Sequence, residues 1–166
     1  MIVIVFGLPG SGKSYFAQKL AEKLNAGYVN SDKLRKELFK ERFYTDQEKA
    51  IVYEKMLDEM KRYTKQNLNL VLDGTFYKEK VREMFINAID SREPILFIEI
   101  QADEDVIRER LRKPRQYSEA DFEVYKLISS QYEPLEKPHL MLKSTNYNIE
   151  EMLGKATNYI KQQHDH

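Results

Sequence analysis

The chain has 166 residues, enough for one well-buried α/β domain and too few for two of comparable size, so residues 1–166 are read as a single domain. Its 27 basic and 27 acidic side chains cancel to a formal net charge of zero, so any nucleic-acid role would have to rest on a local basic patch and not on the overall field. The absence of cysteine excludes disulfides and thiolate metal sites, and no apolar stretch approaches the roughly 20 residues a membrane-spanning helix needs.

Residues 2–6 form an apolar run with no positive, apolar, small-residue leader before it, and a cytoplasmic location is expected on that ground. Directly after this strand comes Gly7-Leu8-Pro9-Gly10-Ser11-Gly12-Lys13-Ser14, a complete G-x-x-x-x-G-K-[ST] loop. Glycines at these places let successive backbone N–H groups turn inward around phosphate oxygens, Lys13 brings a point charge to the β- and γ-phosphates, and Ser14 offers a hydroxyl to Mg²⁺. The helix that follows adds its positive dipole end. Gly7, Pro9, Gly10, Ser11, Gly12, Lys13, Ser14 and Tyr15 are therefore expected to hold a nucleoside triphosphate. An ordinary Gly-rich turn would have no use for the Lys-Ser pair at the helix entrance.

The helix over 13–24 carries Phe16, Ala17, Leu20, Ala21 and Leu24 on one face, and residues 25–27 read as its stop. A strand over 27–30 leads into Asn30-Ser31-Asp32-Lys33-Leu34-Arg35 and a helix over 32–39. Asp32 and Arg35 lie one turn apart and can point into one cleft together. Two readings stand: Asp32 takes or orients an acceptor hydroxyl proton while Arg35 holds an anionic group, or Ser31 or Asp32 only caps the helix. Lys33, Lys36, Lys40 and Arg42 read as a solvated face in preference to a polyanion track. Tyr44, Tyr53 and Tyr63, around a helix over 46–66, read as packing residues.

A third strand, 68–73, ends in Leu70-Val71-Leu72-Asp73, the Walker B form, and continues into Gly74-Thr75. Asp73 is a candidate for the magnesium side or for the acceptor, against the plain reading of a turn carboxylate, and Thr75 is a candidate acceptor contact. Helices over 78–89, 103–112, 118–132 and 149–162 alternate with strands over 95–100 and 139–142, the pattern of a five-stranded parallel sheet in a three-layer α/β/α fold. Arg108, Arg110, Arg112 and Arg115 crowd the Pro114 break, where an Arg-rich lid over about 112–118 is expected; Arg110 and Arg115 are the leading catalytic candidates, with Arg112 beside the nucleotide. His139, His164 and His166 have no metal-ligand spacing and read as strand-edge or tail residues.

Taken in order, Gly-Leu-Pro-Gly-Ser-Gly-Lys-Ser, Asn-Ser-Asp-Lys-Leu-Arg, Leu-Asp-Gly-Thr and Arg-Glu-Arg-Leu-Arg-Lys-Pro-Arg resemble the small P-loop kinases of the polynucleotide-kinase-like group, relatives of gluconate kinases, antibiotic phosphotransferases and zeta-toxin-like kinases. The resemblance implies a P-loop NTPase fold, ATP and Mg²⁺, Asp32 as general base, Arg35 on an acceptor phosphate, and Arg115 or Arg110 supporting the transition state. Adenylate-type kinases share the loop and the Asp-x-x-Arg, but their Gly-Phe-Pro-Arg is replaced here by Gly74-Thr75-Phe76-Tyr77. No Asn-Lys-x-Asp base-reading sequence occurs, which tells against a guanine switch. The expectation is γ-phosphate transfer from ATP to a hydroxyl, on a polynucleotide 5′ end or a small metabolite. The rival of another class is an ATP-binding regulatory module with slow hydrolysis.

Overall fold

Strands β1 (Ile2–Phe6), β2 (Gly27–Asn30), β3 (Leu70–Gly74), β4 (Leu96–Gln101) and β5 (Leu140–Lys143) pair in parallel as one sheet of order β2-β3-β1-β4-β5. The structure is a computed structural model that describes residues 1–114 and 120–165. The described helices are α1 (Lys13–Leu24), α2 (Ser31–Leu38), α3 (Asp46–Lys65), α4 (Glu79–Ile86), α5 (Glu104–Leu111), α6 (Phe122–Gln131) and α7 (Ile149–His164).

Every residue of β1 is buried, which explains its unbroken apolar run. Successive side chains point to opposite faces, so Val3 and Val5 join the core that contains Phe16 and Leu20 of α1 and Met152 and Ile160 of α7, while Ile2, Ile4 and Phe6 join the core with Val52 and Met56 of α3 and Phe85 of α4. The expected three-layer α/β/α fold with five parallel strands is what the chain adopts. Helix α1 ends at the expected place because Asn25 takes the left-handed conformation (φ 52°), returning its N–H to the last turn.

Boundaries differ where a neighbouring element claims a residue. Residues 68 and 69 were expected in β3, but the Leu68 N–H closes the end of α3 by donating to the Tyr63 carbonyl at 2.9 Å, and the strand begins at Leu70, opposite Ile2. Helix α6 starts at Phe122 because the Asp121 carboxylate accepts from the Val124 N–H at 2.9 Å.

His139 is a departure of another kind. It was read as a strand-edge residue, yet its side chain is only 8% exposed and its Nε2 lies 3.0 Å from Glu99 Oε2, while the Tyr132 hydroxyl donates to Glu99 Oε1. Burial, reinforced by that carboxylate, pushes the Tyr132 phenol well above its ordinary pKa and keeps it a donor. Buried Arg82 donates to the Phe76 carbonyl at 2.8 Å and to the Glu133 carbonyl at 2.6 Å. These bonds fasten the segment after α6 to the sheet, although α6 itself buries no residue.

Phe85 packs edge-on against Phe76, with ring centroids 5.1 Å apart, and against Tyr53, 6.3 Å apart. Phe85→Ala should cost about 3–5 kcal/mol and lower the melting temperature by about 6–20 °C in calorimetry. A change of less than about 3 °C would show that this aromatic cluster is not a main support of the core on the α3 side.

Candidate functional site

The loop between β1 and α1 turns on two residues in the left-handed region, Gly10 (φ 79°) and Gly12 (φ 92°). A side chain at Gly12 would be strained by the positive φ and would also displace its neighbours, since a Cβ would lie 2.7 Å from Ser144 Oγ and 3.0 Å from the Arg110 guanidinium. Gly12 is also the N-cap of α1 and makes no side-chain cap, so the first-turn N–H groups face the loop. Lys13 is only 7% exposed and makes no side-chain hydrogen bond or ion pair with the described residues. A buried ammonium with no protein counter-charge is costly unless an anion joins it.

On one side of Lys13 lies a cleft of about 550 Å³, lined by Gly10, Gly12, Ser14, Tyr15, Arg110 and the Ser144–Asn146 loop after β5, among others. Arg110 is pinned across it. Its guanidinium donates to the Gly10 carbonyl (3.1 Å), Ser144 Oγ (3.1 Å) and Asn146 Oδ1 (3.2 Å), and burial pulls its pKa below the ordinary value. Anchored this way, it presents a fixed cation beside the phosphate loop.

Strand pairing sets what lies beneath the loop. Asp73 of β3 registers with Val5 on one side and Asn30 on the other, which carries its carboxylate to the carboxyl end of the sheet, where it is fully buried. Asp73 Oδ2 accepts from the Tyr28 hydroxyl at 2.5 Å and from Asn30 Nδ2 at 2.7 Å, and the same Nδ2 lies 3.2 Å from Ser14 Oγ. Burial first, and the Asp73 charge second, push the Tyr28 phenol far above its usual pKa, so it remains a donor. Oδ1 of Asp73 is buried with no partner. A buried carboxylate with one unpartnered oxygen, joined to the Ser14 hydroxyl through Asn30 Nδ2, suits a divalent cation held by Ser14, Asp73 and phosphate oxygens. Among the described residues no group of three or more His, Asp or Glu side chains could hold a metal alone.

On the other side of Lys13 is a cavity of about 220 Å³ that brings together Asp32, Arg35 and Thr75, with Pro9, Tyr53 and Tyr77 also in its wall. Apolar Val124, Leu127 and Ile128 of α6 close its far side. The cap of α2 is Asn30, whose Oδ1 accepts from the Lys33 N–H at 2.8 Å; neither Ser31 nor Asp32 performs that task. Asp32, with its side chain 26% exposed, is left facing the cavity. Arg35 NH1 stands 3.4 Å from Asp32 Oδ1, and Arg35 Nε stands 3.2 Å from Glu48 Oε1, close enough for an ion pair but without hydrogen-bond alignment. The guanidinium face lies 4.7 Å from the Tyr44 ring centroid.

Of the candidates from sequence, Gly10, Gly12, Lys13, Ser14, Tyr15 and Arg110 line the first cavity, and Pro9, Lys13, Asp32, Arg35 and Thr75 the second. Gly7 and Ser11 lie buried in the loop, and Asp73 beneath it. Arg112 stands apart: its side chain is 68% exposed, pairs with Glu109 at 3.2 Å and lines neither cavity. Arg115, with residues 116–118 of the expected lid, lies outside the described residues. Sequence reasoning passed over Tyr28, Asn30 and the Ser144–Asn146 loop. The signal that could have found that loop is its place after β5, since ligands bind beyond the carboxyl ends of the strands in a parallel sheet. Lys49 and Tyr77 gave no local signal, because only the packing of α3 brings them to the cavity.

A phosphate loop between β1 and α1 and a parallel sheet of order β2-β3-β1-β4-β5 define the P-loop class of α/β fold, here with a cavity on either side of the loop lysine. Within that class the chain belongs to the AAA domain family, which it matches over residues 2–135. Comparison with curated proteins returns no significant match. Solved structures do resemble it. A sugar kinase from Janibacter sp. superposes with a TM-score of 0.73 at 16% identity, covering 96% of this chain and 94% of that one. A gluconokinase from Sinorhizobium meliloti gives 0.70 at 15% identity, with 97% and 95% covered. The Mycobacterium tuberculosis APS kinase in complex with AMPPNP and APS gives 0.71 at 18% identity, with 96% of each chain covered. At such identities the likeness is one of fold. No helix among the described residues is long and apolar enough to cross a membrane.

Proposed function

We propose that the protein is a kinase that moves the γ-phosphate of ATP to a hydroxyl of a small molecule. The observation that carries this reading is the position of Lys13, a buried cation shared by the walls of two cavities, with the loop amides and Arg110 on one side and Asp32 on the other. A protein that only bound and hydrolysed ATP would have no need of the second cavity. That a fold neighbour holds both AMPPNP and APS lends further support.

In this reading the loop amides and Lys13 bind the triphosphate, and Arg110 flanks it. Asp32 receives the proton of the acceptor hydroxyl as its oxygen bonds to the γ-phosphorus, the bond to the β,γ-bridging oxygen breaks, and ADP departs. Arg35, fixed by Glu48 and Tyr44, positions the Asp32 carboxylate. Ser14 and Asp73 are the residues that would hold Mg²⁺, which when bound neutralises charge on the phosphate oxygens. Val124, Leu127 and Ile128 give the acceptor cavity an apolar wall.

The size of the second cavity, about 220 Å³, favours a metabolite over a polymer end. The adjoining trough does not supply a basic track either, since Asp46, Glu54 and Glu133 offset Lys49, Lys78 and Lys80 in its lining. The test is incubation with γ-labelled ATP and a panel of sugars, hydroxy acids, phosphorylated sugars, nucleosides and 5′-hydroxyl oligonucleotides. Label should appear on one or more small hydroxyl compounds and not on oligonucleotides. Free phosphate with no labelled acceptor would instead support the hydrolytic module.

A further inference from the structure

We propose that Lys49, and not Arg35, grips the acceptor, which therefore carries an oxyanion, a phosphate or a carboxylate, apart from the hydroxyl it offers to Asp32. This deepens the phosphotransfer reading and rests on it.

The argument is one of charge already spoken for. Arg35 is 8% exposed and faces two carboxylates, Asp32 at 3.4 Å and Glu48 at 3.2 Å. Glu48 is itself 5% exposed and fixed by the Phe43 N–H at 3.0 Å, so it cannot swing away to release the guanidinium. With two carboxylates already on it, the Arg35 guanidinium is committed, and a further oxyanion placed there would meet repulsion from both. Arg35 is thereby suited to orienting Asp32.

Lys49 follows Glu48 on α3, yet it is not gripped as Arg35 is: Asp46, Glu54 and Glu133 share the lining of the trough with it, but none of them is within ion-pair distance. Its Nζ donates to the Tyr77 hydroxyl at 3.1 Å and lies 5.7 Å from the centroid of that ring, and among the described residues it has no carboxylate partner. An ammonium carries three donors, and a neutral phenol satisfies one of them while cancelling no charge. Its position completes the case. Lys49, Tyr53 and Tyr77 line both the 220 Å³ cavity and the open trough of about 920 Å³ beside it. An acceptor with its hydroxyl at Asp32 would pass its other end by this junction, where Tyr77 holds the ammonium in place.

The first experiment needs no acceptor. Protein saturated with AMPPNP and Mg²⁺, so that Lys13 is covered, is titrated with inorganic phosphate and followed by NMR shifts. Lys49→Met should weaken phosphate binding about tenfold or more, and Lys49→Arg should keep it within about threefold of wild type. Equal binding by wild type and Lys49→Met, or no phosphate-dependent shift in the wild type, overturns the proposal. The second experiment uses acceptors labelled in the panel. They should be oxyanionic, phosphorylated and carboxylated compounds being compared side by side, and Lys49→Met should raise acceptor KM about tenfold or more with kcat and ATP KM within about threefold. A role limited to packing against Tyr77 would move melting temperature and not KM, and an acceptor set without charge would also overturn the proposal. The two readings fail separately. Lys49-dependent phosphate binding in a protein that labels no acceptor removes the kinase, whereas transfer indifferent to Lys49 removes only this anchor.

Discussion

Asp32→Asn should lower kcat by about 10²–10⁴-fold while leaving the dissociation constant for ATP within about threefold of wild type. The substitution is isosteric, and Arg35 NH1, 3.4 Å from Asp32 Oδ1, can still face an amide oxygen there. What is lost is a negative oxygen able to take a proton. Because Asn30 caps α2, the helix start does not depend on Asp32, and the melting temperature should move by less than about 3 °C. The ATP cleft lies across Lys13 and does not include Asp32 in its wall. Steady-state kinetics on the labelled acceptor, with calorimetry of ATP binding, separates the two effects. Turnover retained within about tenfold would show that Asp32 is not the general base.

That the first strand, the loop and α1 could be read to the residue follows from how local their causes are. A fully buried β1 leaves an unbroken apolar run, the loop needs glycine where φ is positive, and Asn25 stops the helix by its own conformation. The parallel sheet was legible for the same reason, since each strand is short, apolar and followed by a helical period. Pairing was not. Asp73 could be named as a Walker B carboxylate, but its grip by Tyr28 and Asn30 depends on the register of β2 against β3, which no single segment encodes.

The candidate site divides along the same line. Asp32 and Arg35 are close in sequence, and their one-turn spacing allowed them a shared cleft, which is where the structure puts them. Glu48, which claims much of the Arg35 charge, comes from α3, and the choice between a free and a committed guanidinium appears only in three dimensions. The arginines near Pro114 illustrate the limit of composition: Arg110 is pinned over the loop while Arg112, two residues on, pairs with Glu109 in solvent. Chain position says that a cation is near; packing decides which one faces the phosphates.

The second large effect is expected at Lys13, and its sign separates function from structure. Methionine is unbranched, one atom shorter than lysine and close to it in helix propensity, so Lys13→Met leaves the first turn of α1 intact while removing the charge. An ammonium that is 7% exposed and has no protein counter-charge among the described residues contributes a desolvation cost to the folded state. The melting temperature of the variant should therefore equal or exceed that of wild type. Turnover should fall by about 10²–10³-fold or more, because a preorganised charge next to the transferring group is lost from both cavities at once. ATP binding should weaken as well, since the loop amides alone would then meet the β- and γ-phosphates. A fall in melting temperature of more than about 5 °C with turnover largely kept would mark Lys13 as a structural residue, and with it would go the reading of two substrates meeting at one cation.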